Sequence, residues 1–184
     1  MTPIEQFSRK MANVESGDIL YTGAKPWEAS VNPDHSAHAP HCRWIGTDIE
    51  AGEGVQIVAD LHTIDVVVDG RQFDAIFSPA TLEHLERPWI AMRAMARILK
   101  PGGVLFVHTH QTFPLHGYPS DFYRFSEQAL RSLCADVGLV VLEAGYDHPC
   151  TIKPPSSVTV WNTAAPAFLN VNVCAVKPHD HAAQ

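Results

Sequence analysis

Residues 73 to 108 read FDAIFSPATLEHLERPWIAMRAMARILKPGGVLFVH, and this stretch decides the fold. Phe73 to Phe77 is a short apolar run of strand formers stopped by Ser78 and Pro79, the pattern of a strand buried on both faces. A helix follows. Pro88 suits a first helical turn, Ile90, Ala91, Ala94, Met95, Ile98 and Leu99 recur at helical spacing, and Arg93, Arg97 and Lys100 take other positions. Lys100-Pro101-Gly102-Gly103 ends the helix, and Val104 to Val107 reads as a second strand. The unit is strand, helix, strand; such crossovers are overwhelmingly right-handed and join parallel strands. The fold class is therefore α/β.

Upstream, Pro3 to Val14 reads as an amphipathic helix with Ile4, Phe7 and Met11 on one side, ended by Ser16-Gly17 and expected at the edge of a ligand site. Asp18 to Tyr21 is the first strand. Thr22-Gly23-Ala24-Lys25-Pro26 is the turn at its carboxyl end, where open α/β sheets bind ligands. A second strand, Arg43 to Thr47, ends in Asp48, and a third, Gln56 to Ala59, ends in Asp60. The connection IEAGEG is too short for a crossover helix. That end of the sheet is expected to be pared down, its face open or covered by a second subunit, which makes a homodimer one expectation. Downstream, Ser126 is a helix N-cap, Ala129, Leu130, Leu133, Cys134 and Val137 form an apolar face, and Gly138 is the stop. Leu139 to Ala144 and Ala167 to Val176 read as further strands. With no repeat and no linker, residues 1–184 read as one domain.

The chain has 184 residues, 46% hydrophobic and 18% charged, a globular composition. A formal charge of -7 without a basic run argues against nucleic acid or an anionic membrane as the main partner, since both demand clustered Lys and Arg. The N-terminal residues carry no apolar signal core, and no apolar run reaches the length of a membrane span. A cytoplasmic protein with a small polar substrate is expected. Cys42, Cys134, Cys150 and Cys174 form no C-x-x-C pair, so they read as reduced thiols, most of them buried filler.

Gly23 and Asp48 stand in the order a nucleoside requires: a turn the backbone can approach closely, then a carboxylate at the tip of the next strand to accept both ribose hydroxyls. The absence of G-x-G-x-x-G counts against a pyrophosphate-bearing dinucleotide. Between the fifth strand and the next helix, HTHQTFPLHGYPSDFYRFS has no regular period and is dense in aromatic and titratable side chains. It reads as a lid from Thr109 to Phe125, with Asp121 and Arg124 tying it down as a pair. A second histidine group is His35, His38 and His41, beside Asp34 and Cys42. Imidazole suits zinc, copper or nickel, but Pro33 and Pro40 interrupt a continuous helix. The group reads as a polar loop, and no metal site is assigned.

The central stretch, through Val107, resembles the fourth and fifth strand region of class I S-adenosylmethionine-dependent methyltransferases, in which FD, LEH and LKPGG recur at about this spacing. The resemblance extends from about Asp18 to Tyr146 through WIGTDIE, VADLH and DFYRFSEQALRSL. It implies a Rossmann-like, mostly parallel sheet with an antiparallel last strand and reduced helices around strands 2 and 3. It also implies S-adenosyl-L-methionine as cofactor and methylation of oxygen or nitrogen on a small-molecule acceptor. By the same resemblance, Gly23, Ala24 and Asp48 hold the nucleoside, Ile49 and Leu61 flank the adenine, and Asp60 accepts a hydrogen bond from its amino group. Ser78 and Pro79, with Ala80, lie where the methionine part would sit, and His84 borders the methionyl group or the acceptor.

Displacement at a sulfonium methyl is driven largely by positioning, and a base need only remove one proton. Histidine suits that near neutral pH, and His110 or His116 is the expected base. The first turn departs from the family's pattern: YTGAKPWEA has a single glycine, with Tyr21 where an acid often stands. A cofactor-binding module without turnover is therefore the alternative reading, and a metal-binding protein using its histidines a third.

Overall fold

The computed structural model describes residues 1–26, 34–117, 119–158 and 166–179. The chain runs α1 (Pro3–Met11), β1 (Asp18–Thr22), β2 (Arg43–Asp48), β3 (Ile57–Val58), α2 (Ile64–Val67), β4 (Phe73–Pro79), α3 (Pro88–Ile98), β5 (Leu99–His110), α4 (Glu127–Asp136), β6 (Val140–Cys150) and β7 (Ala167–Val176). Short 3-10 turns occupy Ser36–His38, Leu61–Thr63 and Leu82–His84. The strands form one sheet in the order β3-β2-β1-β4-β5-β7-β6. The first five are parallel; β7 enters antiparallel between β5 and β6. This is the Rossmann-like methyltransferase topology with its antiparallel last strand.

Alternation along each strand feeds two cores. Leu20, Ile76, Leu105, Val107, Val171 and Val173 face α3 and α4. Ile19, Ala75, Phe77, Val104, Phe106 and Cys174 face α1. Thr2 and Glu5 cap α1 reciprocally, at 3.3 and 2.7 Å, so that it presents Phe7 and Met11 fully buried. The Phe77 ring stacks on Phe106 at 4.8 Å and meets Phe7 edge-on at 5.2 Å. The helix lies over β5, β6 and β7 instead of at the rim of a ligand site, because its apolar stripe matches the phenylalanines of the middle strands.

Two elements differ in extent from expectation. Lys100 to Gly103 joins β5 as an irregular start: Phe73 pairs with Leu99 and Ala75 already with Val104, while Gly102 and Lys177 exchange a main-chain bond at 2.8 Å. The return of β7 supplies partners that a local reading of Pro-Gly-Gly does not see. Similarly, β6 continues to Cys150 through Gly145 and Pro149, which an edge strand tolerates.

No helix forms between β2 and β3, as the short connection predicts. The loop instead folds back on the sheet. An added Cβ at Gly46 would sit 1.9 Å from the carbonyl oxygen of Gly54 and 2.7 Å from the Ala24 methyl, so only glycine lets the first turn and this loop close over β2. Among the described residues, no helix is long and apolar enough to cross a membrane.

Candidate active site

The carboxyl ends of β1, β2 and β4 carry the first group of expected residues. Gly23 has φ +64°, and a Cβ there would meet the Thr81 hydroxyl at 2.9 Å; glycine is required by both conformation and space. Thr22 donates to Thr81 at 3.1 Å, Thr81 donates to the Pro79 carbonyl at 2.8 Å, and the Ser78 hydroxyl lies 2.8 Å from Thr22. Ser78 is fully buried, so it braces the turn. The amide of Ala24, itself buried, donates to the Thr47 carbonyl at 3.1 Å. Ala80, just past β4, holds φ +43°, a strained conformation for a residue with a side chain.

Asp48 accepts the main-chain N–H of Lys25 on one oxygen and that of Glu50 on the other, both at 3.1 Å. A carboxylate oxygen has about two lone pairs, so each keeps one for a further donor. Ile49 beside it is 56% exposed and offers an open apolar face. Leu61, expected as a second flank, is largely buried in the core with Ile45 and Ile64. Asp60 caps the 3-10 turn through the His62 amide at 2.9 Å and pairs with the His62 ring at 2.6 Å. The Thr47 hydroxyl and the His108 Nδ1 are buried at the ends of β2 and β5 without a hydrogen-bond partner among the described residues. Orphaned donors and acceptors are rare in protein interiors. A group with a diol and a polar tail fits this set.

Directly beside it lies a histidine cluster. His84 ends the 3-10 turn after β4, His110 ends β5, and His116 sits in the loop that follows; the His116 ring is 4.9 Å from His84 and 5.0 Å from His110. All three are thus brought together. Their centre is Glu83, fully buried. One Glu83 oxygen accepts from Thr109 at 2.7 Å. The other has His110 Nε2 at 3.0 Å, without the alignment of a hydrogen bond. His110 Nδ1 faces the Asn170 amide oxygen at 3.0 Å, and Asn172 donates to Asp147 at 2.8 Å. Burial, above all, pushes the pKa of His108 and of His110 below the ordinary value, against the pull of nearby carboxylates.

Glu83, Asn170 and Asn172 were not legible as site residues. A glutamate in a turn reads as solvated, and only the pairing of His110 with Asn170 and His108 with Asn172 across β5 and β7 shows the polar stripe. Its signal was present: asparagines alternating with valines in an otherwise apolar strand.

The loop after β5 begins at Gln111, since Thr109 and His110 belong to the strand. Arg124 ties it, donating to Asp121 at 2.8 Å and to the carbonyls of Phe113, Pro114 and Tyr123; this holds the Asp121 carboxyl well below the usual range. Phe113 stacks on His110 at 4.0 Å, and Phe113, Leu115 and Phe122 are exposed apolar side chains of this loop. Tyr118 lies outside the described residues. His35 and His38 stack on one another, both against Phe77, with His38 also on the Ser8 hydroxyl, while His41 turns to the Met11 carbonyl; among the described residues the three do not form a ligand set.

A methyltransferase-domain family model matches residues 36–107. Among curated proteins, a ubiquinone biosynthesis O-methyltransferase of Xanthomonas campestris pv. campestris (strain B100) is 31% identical over 130 residues, covering 62% of this chain and 50% of that protein. The chain is similar to class I S-adenosylmethionine-dependent methyltransferases. It spans about half the length of the curated methyltransferases it matches. A methyltransferase from Archaeoglobus fulgidus superposes with TM-score 0.66 at 13% identity, covering 95% of this chain and 92% of that one. A Burkholderia thailandensis 1,6-didemethyltoxoflavin-N1-methyltransferase, solved with its acceptor and S-adenosylhomocysteine, superposes with TM-score 0.62 at 13% identity, covering 96% and 77%. The first turn keeps one glycine, with the threonine and serine braces behind it.

Proposed function

We propose that this chain transfers a methyl group from S-adenosyl-L-methionine to a hydroxyl or amine of a small, ring-bearing acceptor. The observation that carries the proposal is the junction at residues 78–84. It joins the braced turn at Gly23 to the buried histidine cluster, so the cofactor side and the acceptor side share one wall. The relatives named above act, by their names, on oxygen and on nitrogen.

In this reading, Asp48 accepts the ribose hydroxyls, Gly23 and Ala24 give the backbone approach, and Ile49 supplies an apolar flank for the adenine. Asp60 keeps an oxygen for the amino group, and Pro79 and Ala80 border the methionine part. The cofactor, when bound, supplies an activated methyl on sulfonium. Phe113, Leu115 and Phe122 take the ring of the acceptor. Asn170 holds His110 with its proton on Nδ1, leaving the Nε2 lone pair to receive the proton of the acceptor's O–H or N–H.

Two measurements test it. Calorimetric titration with S-adenosylhomocysteine should show one site. Incubation with methyl-labelled cofactor and a panel of phenols, catechols and heterocyclic amines should label at least one of them. Absence of binding to the folded protein would sink the proposal. Binding without transfer to any acceptor would favour the cofactor-binding module that the single-glycine turn suggests.

A further inference from the structure

The arrangement around Glu83 has a property that methyl transfer does not need. One oxygen of this fully buried carboxylate has no aligned hydrogen bond among the described residues, while its other oxygen is anchored by Thr109. His110 Nε2 lies 3.0 Å from that oxygen and His84 Nε2 4.0 Å from it. The other ring nitrogen of His84 faces the main-chain carbonyl of Ser120. A carbonyl only accepts, so His84 carries its proton on Nδ1 and presents a lone pair on Nε2. His116 is held in the same way, with Nδ1 3.2 Å from the Pro114 carbonyl. Imidazoles oriented by a carbonyl on one nitrogen, with the other free, are arranged as metal ligands are.

We infer that Glu83, His84 and His116 form a binding site for one divalent cation of the zinc class. Their ligating atoms already lie within 4.8 Å of one another. Tetrahedral ligands at about 2.0–2.2 Å from an ion are roughly 3.4 Å apart, so closure asks for a contraction of at most about 1.4 Å. His116 sits in a surface loop and can supply it. Two imidazoles and a carboxylate suit Zn²⁺ and leave a coordination position open. The ligands come from two segments, the 3-10 turn after β4 and the loop after β5. The ion therefore clamps that loop over the end of the sheet. His35, His38 and His41, which sequence reading weighed as a metal group, are not involved.

The test uses the full chain stripped with a chelator and titrated with ZnCl₂ by calorimetry, with Co²⁺ absorption as a second probe. One equivalent should bind, raise the melting temperature and slow proteolysis between residues 111 and 125. His84→Ala and His116→Ala should each weaken binding at least 10-fold while far-ultraviolet circular dichroism stays unchanged, and Glu83→Gln should do the same if it folds. His35→Ala and His38→Ala should bind as the parent does. Unchanged affinity in folded His84→Ala and His116→Ala, loss of binding in the His35 or His38 variant, or no binding by the folded parent would each overturn the assignment.

Discussion

Asp48 holds one main-chain N–H on each oxygen, and its value as a ligand lies in the lone pairs left over. Asp48→Ala should leave folding intact and weaken S-adenosylhomocysteine binding by on the order of 1.5 to 3 kcal/mol, the range for hydrogen bonds to a charged group; calorimetry reads this directly. His110→Ala belongs at the same scale. Loss of a proton acceptor should lower turnover about 10²- to 10⁴-fold with cofactor affinity nearly unchanged. If acceptor KM rose instead, with kcat preserved, His110 would be a wall of the pocket. Residue by residue, the sequence told which side chains were chemically apt more readily than where they would meet. Asp48 was legible because a strand tip fixes it. Glu83 was not, because its burial depends on Thr109 and His110 arriving from the next strand.

At the level of elements, the β4–α3–β5 unit was readable from its own punctuation, whereas boundaries set by distant partners were not. The far end of β6 exists only through pairing with β7, and the irregular start of β5 leans on both β4 and the residue that follows β7. Packing between elements gives two predictions. Phe77 is 2% exposed and joins Phe7 and Phe106 across the α1 face. Phe77→Ala should destabilise by about 3–5 kcal/mol, measured as a shift of the urea midpoint at constant slope. Arg124→Lys removes a planar fork that joins Asp121 to three carbonyls, which a single ammonium cannot span. Limited proteolysis should then cut between residues 111 and 125 faster than in the parent, with global stability little changed; equal cleavage rates would mean that Phe113 stacking alone holds the loop.

For the whole molecule, the histidines set the response to acid. Burial lowers the pKa of His35, His38 and His108, and His35 is lowered further by His38 and His108 against the opposing charge of Asp34. Each is held neutral in the fold, while in the unfolded chain it takes up a proton near pH 6.5. The unfolded state thus binds more protons below that value, so stability should be level above about pH 7 and fall as pH drops from about 6.5. The Asp18 carboxyl, held at about 2 by Arg43 and Arg71, favours the fold above about pH 3.8 and loses that effect only as pH falls through about 2. A melting temperature equal at pH 7.5 and pH 5.5 would show that the histidines do not govern this window.

The placement of β7 has a consequence for how the chain comes into being. Residues 167–176 are the last strand in the sequence, yet they pair on both sides, with β5 and with β6. Until they are synthesised and inserted, two neighbouring edges stand unpaired, each a template for association with another chain. Contacts of such long sequence separation also form late. His110 finds Asn170 only in that final step. A ribosome-bound chain that has emerged only as far as residue 165 should therefore hold native-like helices but lack the ordered histidine cluster, and should depend on chaperones; the closing of the sheet and the making of the site are one event.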